Sequence, residues 1–588
     1  MSEDQTTDAG DGRLARIVGA PAKVQDGEGQ DRGRIEPPVS EDLPSPRAPA
    51  ESQISTAEDS AEASADAPPA LAPIPAGVEI ELKLVTDREH LADLQRAPVI
   101  EAYARNRGVH RHLLAIYYDT PGRRLHKAGF VLRVRRSGSR FTQTVKTEGS
   151  GDGLRRGEWE TPVPDMSPDL RLALPLLPEK LARKVAADTL VPVFSTDVHR
   201  LVRRVLLPSG EVEVAFDHGL LTAGARTAPL CEIELELKGG APQTLHELGL
   251  RLLEYGALRP SLITKAARGF ALADDPAPVV PKPALIPLDP DAPLDEALAV
   301  ILQGALHHLL RALPVAEDGR NPEGIHQARV ALRRLRSMFG LMRPVAGSPV
   351  IAGFGAEAKR LAASLGTARD CDVFVEDTLG SVAAALPGLD GFDGLRQAAE
   401  TRRSEGYAAA REALADQRTS RFVLALGGFI EGRGWRNDVS PDVLWRLSDP
   451  VIAFADRTLS ALHAKVLKRG KHFKSMAPEA RHELRIAVKK LRYAMDFLLP
   501  VYRDSKTTKR FAKALSRLQE QLGRYNDMAT TRKIVAGFGD NPAAHSQAAG
   551  AVIGWQAQGL AAAEPGLRKA WSDFAEARPP WKGATTPD

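Results

Sequence analysis

Eight short runs between Glu79 and Lys238 alternate polar and apolar residues, a period of two that gives an extended chain one polar and one apolar face. They are EIELKL (79–84), LLAIYYDT (113–120), FVLRVRR (130–136), RFTQTVKT (140–147), EWETPV (158–163), HRLVRRVLL (199–207), EVEVAFD (211–217) and CEIELELK (231–238). Turn signals such as Gly-Ser-Gly and Asp-His-Gly separate them, so the region predicts an antiparallel barrel or sandwich. Helices are expected over 87–106, 165–187 and 241–256.

The proline-dense stretch 274–293 ends this pattern and reads as a semi-rigid linker. Beyond it the period is helical, and the helical half repeats itself. HQARVALRRLR (326–336) aligns with HELRIAVKKLR (482–492), LGTARDCDV (365–373) with LGRYNDMAT (522–530), and Leu306-His307 with Leu462-His463. A duplicated helical bundle is the expectation.

Charge is unevenly spread. Residues 1–75 carry a net −9 and residues 301–588 a net +13, while the whole chain sums to +4. The acidic, Pro- and Ala-rich segment 1–75 buries too little apolar surface to order itself and is expected to be disordered. The basic helical half is the part expected to meet an anion. Two cysteines, Cys231 and Cys371, exclude a disulfide framework. The acidic N-terminus does not read as a signal peptide, and no apolar run approaches membrane-span length, so a cytoplasmic protein is expected.

On a strand, Glu79, Glu81 and Lys83 share one face, and Glu232, Glu234, Glu236 and Lys238 repeat the arrangement. Glu158 and Glu160 form a third acidic pair, preceded by Arg156; Arg133 and Arg135 form a basic pair, and Lys146 lies on another strand. A single such strand describes a solvated sheet face. Several in one curled sheet describe an interior in which charges must be paired or bind ions. Carboxylates suit hard divalent cations and Arg/Lys suit phosphates, so both together suit a metal–polyphosphate complex. There is no GxSxG element and no GxxxxGK[ST] loop.

The ordered set ExExK, YYDTP (117–121), LRVR (132–135), QTVK (143–146), RGEWE (156–160), AFDHG (215–219), CEIELE and TKAARGF (264–270) resembles the CYTH family, the triphosphate tunnel metalloenzymes. The resemblance implies an eight-stranded antiparallel tunnel that binds a triphosphate with Mg2+ or Mn2+. By motif it implies metal binding by Glu79, Glu81, Glu232 and Glu234, and phosphate contacts from Lys83, Arg133, Arg135, Lys146, Arg156, Arg200 and Lys265. Glu79, Glu81, Lys83 and Asp217 would form the catalytic set.

In the helical half, His326, Arg329, Arg333 and Arg336 fall in one arc of about 80° at roughly 100° per residue. His482, Arg485, Lys489 and Arg492 repeat the spacing. A solvated basic face is the plain reading of one such helix; duplication favours a groove for a long anion. Few aromatics accompany the stripe, which disfavours nucleic acid and favours a featureless polyanion. The repeated stripe with LGxARDxDV resembles the CHAD family, often fused to CYTH, and implies polyphosphate binding.

The expected architecture is therefore a multidomain α+β chain. It comprises an acidic tail (1–75), a CYTH tunnel (76–275), a linker (276–290) and an all-α CHAD domain (291–577). The CHAD repeats are expected over about 291–430 and 440–577. The expected function is metal-dependent hydrolysis of inorganic triphosphate, with polyphosphate binding by the helical half and association with polyphosphate granules. The alternatives are a non-catalytic polyphosphate-binding protein and an enzyme acting on thiamine triphosphate or ATP.

Overall fold

The computed structural model describes residues 78–147, 155–275, 279–284, 286–437, 439–502, 505–539 and 541–583. The expected disordered tail, 1–75, lies outside them.

The alternating runs form strands β1 (Val78–Val85), β2 (Val109–Asp119), β3 (Phe130–Ser137), β4 (Arg140–Thr147), β5 (Arg155–Val163), β6 (Val191–Leu207), β7 (Gly210–Ala223) and β8 (Arg226–Gly240). A ninth strand, β9 (Arg259–Ser261), corrects the expected number of eight. It is three residues long, contains Pro260 and has no alternation, so it carries no period to read. The antiparallel sheet runs β5-β4-β3-β2-β6-β7-β8-β1-β9. Its flanks also meet, because β1 pairs with β5 at Val78↔Gly157, Glu79↔Arg156 and Ile80↔Arg155. The sheet thus curls round an interior, joined there by three residue pairs rather than along a full strand. Gly138 and Gly224, both at positive φ, make the tight β3–β4 and β7–β8 turns.

Prolines divide two of the expected helices. Pro98 splits 87–106 into Arg88–Gln95 and Pro98–Tyr103, with Ala97 extended before it. Pro175 and Pro178 break 165–187 into three short pieces. The helix Lys265–Asp274 packs into the curled sheet. Its Ala266 and Phe270 lie in one apolar cluster with Ala115, Tyr117, Val131, Phe194 and Ala223, and its Thr264 cap accepts from Ala267 N–H at 3.0 Å.

The C-terminal half is helical, and its duplication is visible in the element boundaries. Helices Leu294–Asp318, Glu323–Ala346, Pro349–Ser364 and Phe392–Ala415 recur as Val451–Arg469, Pro478–Leu498, Lys506–Ala536 and Gln547–Ala575. Each start matches the 156-residue offset to within one residue. The copies differ in their third helix, which is continuous in the second repeat. In the first it breaks at Leu365 and carries a π turn at Phe374–Leu379.

The two halves share one apolar core. Leu82, Leu84, Ile233 and Leu235 on the outer face of β1 and β8 join Leu245 and Leu248 of the helix Gln243–Leu252. They also join Leu302 and Leu424 of the helical half. The helix Leu294–Asp318 is 25 residues long and contains an 18-residue window of mean hydropathy 1.4, enough by length and composition to cross a membrane, but here it packs in this core.

Gly269 faces Phe194 so closely that a Cβ would lie 2.0 Å from the ring. Helix propensity alone favours Gly269→Ala by roughly 1 kcal/mol. Overpacking costs about 1–3 kcal/mol, and here the neighbour is a ring held on both sides. The expected outcome is a lowered Tm for the variant in a thermal melt; an unchanged or raised Tm would contradict this packing.

Candidate functional site

Strand register sets the interior. Lys83 on β1 sits opposite Glu234 on β8, and Glu81 opposite Glu236. Asp217 on β7 sits between Glu232 and Arg200, its partners on β8 and β6. Arg133 faces Thr144, which faces Glu160, and Lys146 faces Glu158. The period of two sends all of these residues inward, while the intervening Ile80, Leu82, Ile233 and Leu235 go outward into the core.

Four carboxylates and three cations form the innermost network. Lys83 Nζ donates to Glu81 at 2.7 Å and Glu234 at 2.6 Å, and lies 3.5 Å from Glu232. Lys265, the first residue of its helix, donates to Glu232 at 2.5 Å and Glu234 at 2.7 Å, and lies 2.8 Å from Asp217. Arg200 holds Asp217 through two bonds, at 2.7 and 2.6 Å, and reaches Glu234 at 2.5 Å. Asp217 and Glu232 are fully buried. Burial works against the charge on Lys83, yet the Glu234, Glu81 and Glu232 carboxylates hold its pKa well above the ordinary lysine value. Burial likewise opposes Glu234, yet Lys265, Lys83 and Arg200 hold its carboxyl well below the usual range.

Beside this network lies a cavity of about 430 Å3, within the roughly 300–1,000 Å3 typical of small-ligand sites. Glu79, Glu81 and Glu234 line it together with Arg133, Arg135, Lys146, Arg200 and Lys265. Arg135 pairs with Glu160 at 3.0 Å, and Lys146 with Glu158 at 2.5 Å and Glu79 at 3.4 Å. Burial raises the Glu79 carboxyl to about 7; Lys146 opposes the rise, while Glu81 and Glu158 add to it. Glu158 is also penalised by burial, but Lys146 and Arg133 hold it down at about 2. Of this pair it is therefore Glu79 that takes up a proton first as pH falls.

The sequence-predicted residues are placed as follows. Glu79, Glu81, Lys83, Arg133, Arg135, Lys146, Arg200, Asp217, Glu232, Glu234 and Lys265 all gather in one interior. Glu232 and Asp217 are not on the cavity wall, being enclosed by Lys265, Arg200 and Arg268. Lys83 is 5% exposed, and carboxylates take up its ammonium. Arg156 lies opposite Glu79 in the ladder, and its side chain is outside the described residues. Sequence reasoning missed Arg111 and Glu213 and did not single out Glu236, all of which line the cavity. Glu213 and Glu236 share the parity of Asp217 and Glu234, so the signal was there. Arg111 lies on the part of β2 before the alternating run begins.

The carboxylates fit a hard divalent cation. Asp217, Glu232 and Glu234 bring oxygen atoms within 4.8 Å of one another, and Glu79, Glu81 and Glu234 present further oxygens to the cavity. Seven acidic and six basic residues line that cavity, so it comes close to neutrality. A bare polyanion gains little there; one accompanied by cations fits.

A second space of about 1250 Å3 opens from the same centre. Glu81, Lys83, Arg133, Lys146, Glu234 and Lys265 line its inner end, and His307, Leu310, Arg311, Pro314 and Val315 of the helix Leu294–Asp318 form part of its wall. The helical half therefore roofs one mouth of the curled sheet.

In the helical half, His326, Arg329 and Arg333 gather with Arg369. Burial and then Arg369 lower the His326 pKa, with Arg333 and Arg329 acting in the same direction. Burial, Arg333 and Arg369 disfavour the Arg329 charge, while Asp370 favours it. Arg329 also donates to the Ala362 carbonyl at 2.5 Å. Arg336 points to solvent. In the second repeat His482 is exposed, Arg485 and Lys489 are half-buried, and Arg492 donates to Ser516 Oγ at 3.2 Å and to Asp496. The repeats touch where Arg334 lies 4.9 Å over the Phe497 ring.

The CYTH domain family model matches residues 77–270, and the CHAD domain model matches 300–536. An inorganic triphosphatase from Haemophilus influenzae is 35% identical over 159 residues, 26% of this chain and 44% of that protein, so the match spans less than half of that relative. An uncharacterised Mycobacterium tuberculosis protein is 26% identical over 417 residues, 65% of this chain and 75% of its own length. The solved CHAD domain of Ricinus communis is 30% identical, covering 51% of this chain and 98% of that one with a TM-score of 0.45.

The Glu79 carboxyl has its pKa raised on folding, so its proton favours the fold at low pH and that contribution fades as pH rises from about 4.5 through about 7. The loss is on the order of 3 kcal/mol. In metal-free buffer the Tm of the wild type is expected to fall relative to that of Glu79→Gln between pH 5 and 8. Parallel Tm curves would remove the assignment.

Proposed function

Because this chain carries a CYTH domain followed by a CHAD domain, we propose that it hydrolyses inorganic triphosphate to pyrophosphate and phosphate inside the curled sheet. The observation that supports this most is the near-neutral interior in which Glu79, Glu81 and Glu234 stand beside Arg133, Arg135 and Lys146. The similarity to an inorganic triphosphatase lies in 26% of the chain and bears on the substrate in the same direction.

Glu79, Glu81 and Glu234, with Glu232 and Asp217 behind them, would hold Mg2+ or Mn2+. A divalent cation bound there neutralises phosphate oxygens and lowers the pKa of a coordinated water. Arg133, Arg135 and Lys146 bind the phosphate oxygens and spread the charge of the phosphoryl group in transfer. Arg200 and Lys265 line the same cavity and add to that field, and they pair with the fully buried Asp217 and Glu232 behind it. Lys83 acts by position, holding Glu81 and Glu234 at fixed geometry through its 2.7 and 2.6 Å bonds. The largely buried setting of these groups makes each charge count for more than it would in water.

For the helical half we propose polyphosphate binding by the cluster of His326, Arg329, Arg333 and Arg369. The Arg329, Arg333 and Arg369 charges are half-buried together beside His326, and an anion relieves their repulsion. The second stripe, with His482, Arg485, Lys489 and Arg492, would extend the contact along the anion. Such binding would bring a cytoplasmic enzyme to polyphosphate granules.

A second reading replaces inorganic triphosphate with an organic one. It is favoured by the apolar wall of the second mouth, where Ile263, Phe270, Leu310, Pro314 and Val315 offer a surface for a ring system rather than for phosphate.

Purified protein with Mg2+ is expected to release phosphate from triphosphate. Glu81→Ala and chelation should each reduce release on the order of 100-fold or more. Activity unaltered by either change would remove the hydrolytic reading, and faster turnover of thiamine triphosphate or ATP would favour the second one. Polyphosphate affinity should fall with salt, and Arg329→Ala with Arg333→Ala should reduce the log–log salt slope by about one per lost contact. An unchanged slope would remove the first stripe from the binding site.

A further inference from the structure

We propose a second metal site, on the outer face of β2 and β6, formed by His112, Asp197 and His199 and suited to a borderline transition-metal ion such as Zn2+, Ni2+ or Cu2+. His112 is paired with His199 across the β2–β6 ladder, and Asp197 lies two residues before His199 on the same face. One ligand atom from each of the three lies within 4.8 Å of the others. The two imidazoles stack with centroids 4.6 Å apart and planes 7° from parallel, and His112 Nε2 is 2.6 Å from Asp197 Oδ1. All three side chains are exposed, so the cluster has direct access from solvent.

The surroundings enrich the same chemistry. His218 on β7 continues the row at 5.3 Å from His199, and His110 precedes His112 on the same strand face. Four of the chain's 14 histidines thus occupy one patch of sheet. Exposed imidazoles gain little from burial by being stacked together, and they repel one another when protonated. A shared cation that accepts a lone pair from each neutral ring gives the juxtaposition a favourable energy.

Bond lengths of about 2.0–2.2 Å bring donors to within about 3–4 Å of each other. From 4.8 Å this needs only small rotations of exposed side chains on strands that are themselves fixed. The ladder supplies the rigidity, and three protein ligands leave a coordination position open to water. Asp197 either ligates or orients His112 as its carboxylate partner.

The donor set separates this site from the interior one. Imidazole selects Zn2+, Ni2+ or Cu2+, whereas the all-carboxylate interior suits Mg2+ or Mn2+. The site stands on the outer face of the sheet and does not depend on the reaction proposed for the interior.

The test uses the full chain with Mg2+ in large excess to occupy hard sites, titrated with Cu2+ alone. Dialysis is expected to show one tight equivalent, with nitrogen hyperfine structure from imidazole in the electron paramagnetic resonance spectrum. His112→Ala and His199→Ala should each weaken that equivalent at least tenfold, and Asp197→Asn should weaken it less. In a separate melt, Zn2+ should raise the Tm of the wild type but not of the double variant His112→Ala/His199→Ala. A double variant that keeps the equivalent and its nitrogen signal, a spectrum of oxygen ligation only, or an equal Zn2+ effect on both proteins would overturn the site.

Discussion

Everything in the sheet half turns on three cations and three carboxylates, of which Asp217 and Glu232 are fully buried and the others largely so. Lys83, Arg200 and Lys265 meet Asp217, Glu232 and Glu234 at 2.5–2.8 Å. Taking such groups out of water is costly, and removing one partner from a buried pair costs about 3–5 kcal/mol because the other charge is stranded. The set therefore holds together or fails together. Its members come from β1, β6, β7, β8 and the helix Lys265–Asp274, so the same contacts that satisfy the charges also fix how those elements sit round the interior. The cavity beside it inherits that rigidity, and preorganised charge of this kind suits the hydrolysis proposed for it.

The helical half is part of that site's architecture rather than an appendage. The outer faces of β1 and β8 bury Leu82, Leu84, Ile233 and Leu235 in a core continuous with Leu424 and Leu302. The approach is close: a Cβ on Gly427 would lie 2.3 Å from the His246 ring. A single strand thus carries ion chemistry on one face and the junction between the two halves on the other. The helix Leu294–Asp318 also gives His307 and Arg311 to the second mouth. Duplication did not keep this role in both repeats. The equivalent His463 is buried among the rings of Phe511, Phe574 and Trp581, each 5.4–5.7 Å away.

Much of the interior was legible in the sequence because the side-chain period of a strand is fixed by the backbone. Glu79, Glu81 and Lys83 had to share a face, as did Glu232, Glu234 and Glu236, and the same parity covers Glu213 and Asp217. Arg111 was not legible, since VHRH (109–112) has no alternation to mark it as strand. β9 was not legible either, being three residues around a proline. Nor was the division of labour among the charges. Glu232 and Asp217 are carboxylates of the same strand parity as cavity-lining Glu234 and Glu213, yet they lie fully buried behind Lys265 and Arg200.

The amino-acid order alone determined the strand period of β1 to β8 and the duplication of the helical half, and the prolines at 98, 175 and 178 then divided the helices expected over 87–106 and 165–187. These depend on neighbours a few residues apart, where backbone geometry leaves few choices. Only the tertiary structure decided which face became the interior, which carboxylate met which cation, and which repeat supplied the wall of the second mouth. Those outcomes depend on register and sheet curl between residues more than 100 apart, such as Lys83 and Glu234, and no local period encodes them.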